Sequence, residues 1–195
     1  MRTKYISKTA RLTLTINEGK ADMIRLRPFK KQDSQIIAGW PGDEKDFMKW
    51  CAGMYKFPMT AQQLCEHYEE FCRDDNAWFM TALDDSGKVC GHFIFRKADC
   101  ENNSIHLGFI IIPPELRGKG FGKKMLLQAL KYAFEIFGAK TVTLGVFANN
   151  KSALECYKAA GFIETDVEKE CFEFCGEKWD CINMKAEVEK RKTDR

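Results

Sequence analysis

Three glycines at alternate positions, Gly118, Gly120 and Gly122, stand among Arg117, Lys119, Lys123 and Lys124. That spacing describes an anion site. Glycine lets a phosphate approach main-chain N–H groups that a Cβ would shield. Amides at the start of a helix also converge on one point together with the positive end of the helix dipole. The flanks suit this reading: an apolar run of strand character leads through Pro113-Pro114 into the turn, and an amphipathic helix follows it. Two familiar phosphate loops do not fit. A P-loop needs Ser or Thr after Gly-Lys, and Gly122-Lys123 is followed by Lys124. A dinucleotide fingerprint needs a third glycine where this chain has Lys123.

A second constellation lies about thirty residues downstream. Lys140 to Phe147 has the Val, Thr and Leu content of a buried strand, Asn149-Asn150 supplies an N-cap, and Lys151 to Ala160 is a short helix closed by Gly161. Asn150 and Tyr157 stand seven positions apart, which puts them nearly on one helix face. The pair of patterns, Arg-x-x-Gly-x-Gly over 117–122 and Asn-x-x-Ala-x-x-x-Tyr-x-x-x-Gly-Phe over 150–162, resembles the two coenzyme segments of the Gcn5-related N-acetyltransferases (GNAT). The resemblance extends over about residues 23–185 in element order, and 105–162 carries its distinctive motifs.

The resemblance implies an α/β chain of mixed α+β order with the GNAT fold. That fold is a central, mostly antiparallel sheet of six to seven strands flanked by about four to five helices and splayed between strands four and five. It implies acetyl-CoA as cosubstrate, no metal, and direct acetyl transfer to a primary amine in a ternary complex, the acceptor being a small molecule rather than a peptide. A non-catalytic acetyl-CoA-binding sensor or partner protein is the alternative. Carried onto this sequence, the pyrophosphate falls to Arg117, Gly118, Lys119, Gly120, Phe121, Gly122 and Lys123, and the thioester carbonyl to main-chain amides near Ile110, Ile111 and Ile112. Asn150 and Ala153 line the coenzyme, and Tyr157 takes the place of the general acid that protonates the departing thiolate. A thiol titrates near 8.5 and a phenol near 10, so the thiolate is already a fair leaving group and the acid is an aid, not a requirement. His106 is the candidate base, at a strand position where the family often places a carboxylate acting through water. Both residues also have plainer readings, Tyr157 as a core aromatic and His106 as a packed strand histidine. His92 reads as structural and His67 as a solvated helix residue.

These residues need a scaffold. Met23 to Phe29 reads as a first strand, Lys31 to Trp40, Asp43 to Cys51 and Ala61 to Cys72 as helices, the last capped by Thr60. Ala77 to Leu83 and Val89 to Arg96 form a hairpin around Asp84-Asp85-Ser86-Gly87, and a strand follows at 104–112. The coenzyme helix spans Gly122 to Phe137, and strands at 165–174 and 179–186 flank Gly176-Glu177. The domain is thus 23–186, with 1–22 an extension able to form an extra strand or remain disordered, and 187–195 a charged tail. Trp40, Trp50, Tyr55, Phe57 and Trp78 supply aromatics for an acceptor pocket, though such spacings more often build core.

Composition narrows the setting. With 195 residues and 45% hydrophobic content there is enough for one core. A net charge of +3 among 30% charged residues is too balanced to argue for nucleic acid, and no apolar run is long enough to span a membrane. Nine cysteines, an odd number without any C-x-x-C, read as reduced thiols of a cytoplasmic protein. Monomer and homodimer are both compatible with the sequence.

Overall fold

The computed structural model describes residues 23–71, 73 and 76–188, so the extension at 1–22 and most of the tail lie outside the described residues. In chain order the elements are β1 (Arg25–Pro28), a 3₁₀ turn (Lys31–Asp33) running into α1 (Ser34–Ile37), α2 (Glu44–Cys51) and α3 (Ala61–Phe71). Next come β2 (Trp78–Leu83), β3 (Val89–Asp99), β4 (Ser104–Ile111) and α4 (Phe121–Lys131), which widens into a π-helical turn at Tyr132–Phe137. The chain closes with β5 (Thr141–Phe147), α5 (Lys151–Ala159), β6 (Ile163–Phe174) and β7 (Glu177–Glu187). Glu187, expected in the tail, is therefore the last residue of a strand.

The strands form one sheet in the order β1-β2-β3-β4-β5-β7-β6, antiparallel throughout except for β4 and β5. Its two faces are buried differently. Leu126, Leu130 and Leu154 of α4 and α5 pack on one face with Ile105 and Leu107 of β4. Ile37, Phe47 and Leu64 of α1 to α3 pack on the other with Phe109 and Ile111. Thr60 and Asn150 cap their helices as expected, accepting from Gln63 at 3.2 Å and Ala153 at 3.3 Å. Asp43, read from sequence as the first residue of a helix, caps α2 by accepting from the Asp46 amide at 2.8 Å. The first helix is shorter than its periodicity suggests. Its opening turn is claimed by Asp33, which is buried and takes two bonds from the Arg27 guanidinium, at 2.7 and 2.8 Å.

One irregularity reorganises β4. His92 pairs with Ile111 and Ile94 with Gly108, so three steps on β4 oppose two on β3. The extra residue sits in a β-bulge, and Phe109 has φ of +52°, a left-handed conformation uncommon for any residue with a Cβ. The bulge inverts the alternation. Ile105 and Leu107 face α4 and α5, whereas Phe109 and Ile111 face α1 to α3, and Ile110 and Ile112 turn back toward α4.

Candidate active site

β4 and β5 stay hydrogen-bonded only from Ser104 to His106 against Thr141 to Thr143. Beyond that, β4 follows β3 to Ile111 while β5 follows β7 to Phe147, and the two strands diverge. Main-chain groups of β4 that face β5 past His106 are left without a sheet partner. The divergence opens a cavity of about 90 Å³ through the sheet. Leu107 to Ile110 and Gly145-Val146 form its edges, Asn150, Ala153 and Tyr157 of α5 flank it on one face, and Lys49 and Trp50 of α2 on the other. Gly145 packs closely on β7, where a methyl on its Cα would stand 3.1 Å from Cys181 Sγ.

Leading away from the opening, β4 passes into the glycine turn. Gly118 and Gly120 have φ of +73° and +82°, and nothing lies within 4 Å of where their Cβ atoms would be. Gly120 is the N-cap of α4 and no side chain caps that end, so the first-turn amides of Phe121, Gly122 and Lys123 are available to an external acceptor. Gly122 packs its bare face toward Cys156 Sγ on α5, which holds the two coenzyme elements together. Arg117 is differently employed: Nη2 donates to the Trp40 carbonyl at 2.8 Å and Nε to the Ile112 carbonyl at 3.4 Å. It ties the α1–α2 loop to the end of β4, leaving the cationic rim of the turn to the lysines.

Tyr157 is 8% exposed and lines the opening, with its ring against Phe162. Burial pushes its phenol well above the ordinary value, so it remains a proton donor across the physiological range. Among the other site residues named from sequence, Ile110, Asn150 and Ala153 also line the opening. Ile111 points into the α1–α3 core, and Ile112 packs toward α4.

His106 lies at the closed end of the divergence. Its Nε2 is 3.4 Å from Arg96 Nη2 and its Nδ1 3.0 Å from Thr143 Oγ1. A guanidinium can only donate, so Nε2 is the acceptor and Nδ1–H is donated to the threonine. Burial, reinforced by Arg96 and Lys97, holds the imidazole at about 4. It is neutral near pH 7, with its lone pair turned toward Arg96 at the long distance of 3.4 Å. His67, expected to be solvated, is instead buried, because α3 turns it inward onto the Tyr55 hydroxyl and the edges of Phe71 and Phe109. Trp50 and Tyr55 stack at 5.5 Å and both meet Phe109 edge-on, forming an aromatic wall on the α2 side. Of the other aromatics, Trp40 is buried in that core and Trp78 packs on Phe137, away from the opening. Arg96 and Lys49 were not apparent as site residues from sequence: a charged residue near a strand end and another on an exposed helix carry no local signature.

An uncapped helix start behind glycines with open space over them fits a pyrophosphate, and the opening beyond it fits an acyl thioester threaded between β4 and β5. These residues therefore suit acetyl-CoA. Comparison with known proteins agrees. Residues 45–162 match the model of the acetyltransferase (GNAT) family. The spermidine N(1)-acetyltransferase of Vibrio cholerae serotype O1 is 28% identical over 144 residues, 72% of this chain and 79% of that protein. The spermine/spermidine N(1)-acetyltransferase of Bacillus subtilis (strain 168) is 34% identical over 64 residues, 33% of this chain and 42% of that protein. The crystal structure of spermidine N-acetyltransferase from Vibrio cholerae in complex with CoA and spermine has the same fold, with a TM-score of 0.73 at 24% identity over 85% of this chain and 95% of that one.

Proposed function

We propose that this chain, which belongs to the acetyltransferase (GNAT) family, moves the acetyl group of acetyl-CoA directly to a primary amine of a small molecule within a ternary complex. The observation that carries this reading is the opening between β4 and β5, reached from one face by the glycine turn and Tyr157 and from the other by Lys49 and Trp50. Two substrates can meet there from opposite faces of the sheet, so no covalent enzyme intermediate is required. The names of its relatives bring in polyamines as acceptors to be tried.

Bound acetyl-CoA supplies an activated acetyl thioester. The amides of the glycine turn and of the first turn of α4 hold its pyrophosphate, with Lys119 and Lys123 adding charge. Unpaired β4 amides near Ile110 donate to the thioester carbonyl, an interaction that gains about 3 kcal/mol where negative charge develops. Tyr157, held protonated, donates to the sulfur as it departs. The acceptor amine must arrive neutral. Since burial makes the His106 imidazole a weak base, we assign that deprotonation to the surroundings: the apolar wall of Trp50 and Phe109 and the nearby Arg96 charge lower the amine's affinity for its proton, which leaves to solvent. The eight described cysteines are all free thiols, which suits a reducing compartment such as the cytoplasm. Monomer and homodimer both accommodate this chemistry, because the opening is built from one chain.

The test is mass spectrometry of products after incubating the full chain with acetyl-CoA and a pool of polyamines, amino acids, aminoglycosides and short peptides. An acetylated amine is expected. Tight acetyl-CoA binding with no acetylated product from the pool would favour the sensor reading.

A further inference from the structure

The acceptor side of the opening holds a cation that no acidic residue answers among the described residues. Arg96 projects from β3 onto the face covered by α2 and α3. A methyl on Gly108 would stand 3.0 Å from its Nε, so the side chain lies directly over a residue that edges the opening. Its charged carbon sits 5.5 Å from the centroid of Phe109, which also lines the opening. Nε is buried without a hydrogen-bond partner, and Nη2 has only the long contact to His106. No ion pair engages Arg96 among the described residues. His106 is neutral and contributes no charge, and Glu70 on α3, exposed to solvent, reaches His67 and not the guanidinium.

A half-buried guanidinium is costly to desolvate unless an anion meets it, and its planar fork matches the paired oxygens of a carboxylate, as it does those of a phosphate. The walls of the opening do not supply one. They contain no Asp or Glu, and their one charged residue is a second cation, Lys49, whose partner Asp46 lies 2.9 Å away. A polyamine presents at least one further ammonium beyond the group being acetylated. Here that ammonium would meet Arg96 and Lys49 with no carboxylate in the walls of the opening to receive it. An amine that also bears a carboxylate would give Arg96 its missing partner while the aromatic wall covers the chain between the two groups.

We infer that Arg96 is a specificity residue and that the acceptor is an amino-acid-type amine, carrying amine and carboxylate on one molecule, in preference to a polycation. This narrows the acceptor of the acetyl-transfer reading above and rests on it for the site's location.

The experiment measures binding, so it does not depend on turnover. The full chain saturated with CoA is titrated calorimetrically with matched pairs that differ only in the carboxylate: lysine against lysinamide, β-alanine against β-alaninamide, with spermidine alongside. Arg96→Met and Arg96→Lys are run in parallel, and their CoA affinity reports that the site is intact. In the wild type at least one carboxylate should bind about tenfold or more tighter than its amide and than spermidine. Arg96→Met should abolish that margin, and Arg96→Lys should retain part of it. Equal binding within every pair, tighter binding of spermidine, or a margin that survives in Arg96→Met would overturn the inference. The transferase reading is judged separately, by whether acetylated product forms.

Discussion

At the scale of single residues, the proposed chemistry divides unequally between Tyr157 and His106. A phenol raised by burial is a donor at any physiological pH, but the thiolate it serves is stable enough to leave unaided at a slower rate. Replacing Tyr157 with Phe should therefore lower kcat about 10²-fold without abolishing turnover, while acetyl-CoA affinity changes little. An unchanged kcat would remove Tyr157 from the mechanism. His106 is assigned no proton transfer, and its titration lies near 4. Rates measured between pH 5.5 and 8 should then show no inflection attributable to it. A limb near the ordinary histidine value of 6.5 that disappears in His106→Gln would restore it as the base. The same residue illustrates what a sequence can and cannot convey. Its strand and its position beside Gly108 are readable from alternation, but its partners, Arg96 from β3 and Thr143 from β5, are ten and thirty-seven positions away and meet it only through sheet register.

At the scale of elements, the coenzyme turn was the most legible part of the chain, because its function is local. Glycine spacing, cationic neighbours and the start of a helix are all contained within residues 117–124. A prediction about it can be correspondingly sharp. Gly120 has φ of +82° and open space around it, so alanine there would be disfavoured by backbone conformation and not by collision. Gly87 in the β2–β3 turn has φ of +85° and equally open surroundings, and it belongs neither to the glycine turn nor to the walls of the opening. Both alanine variants should lose about 1–2 kcal/mol of stability in chemical denaturation. Only Gly120→Ala should raise the KM for acetyl-CoA, by about tenfold, as the loop relaxes away from its binding form and a methyl intrudes on the phosphate. Equal KM effects from the two would mean that the turn acts through stability alone. The bulge in β4 was not legible in the same way. Bulges that use a left-handed residue usually advertise themselves with glycine, and here the position is Phe109, held by the rings of Trp50, Tyr55 and His67 that pack on it from α2, the loop after it and α3. Strict alternation through Ile105–Ile112 would place Phe109 on the face of Ile105, and the structure places it on the other. Helix and strand positions were otherwise recovered to within a few residues, the end of the coenzyme helix at Phe137 included, since capping side chains and turn residues are local signals; the π-helical winding of its last turn depends on packing and was not legible.

At the scale of the whole molecule, the three histidines act together on stability although they lie in different places. His92 is fully buried, with both ring nitrogens lacking well-formed hydrogen bonds between the rings of Phe29 and Phe79. His67 and His106 are held by Tyr55 and by Arg96 with Thr143. Burial lowers all three to about 4, from an ordinary value of 6.5. Between those two pH values the unfolded chain binds protons that the native chain refuses. Stability must therefore fall as pH drops through that window, by about 1.4 kcal/mol per pH unit for each proton taken up. Asp33, paired with Arg27, is held below its ordinary 3.8, and the stability it contributes is lost only at still lower pH, so the two effects occupy separate ranges. Urea unfolding from pH 7 down to 4.5 should show a steepening loss that approaches three protons per molecule, with little change between pH 7 and 8. His92→Leu removes one of these groups from a site that gives it no good partner. It should change stability at pH 7 only modestly, because the imidazole forfeits hydrogen bonds there, and should flatten the acid slope by one proton. A slope unaltered by the substitution would mean that His92 accepts its proton in the folded chain, and that the aromatic cage around it opens more readily than its packing indicates.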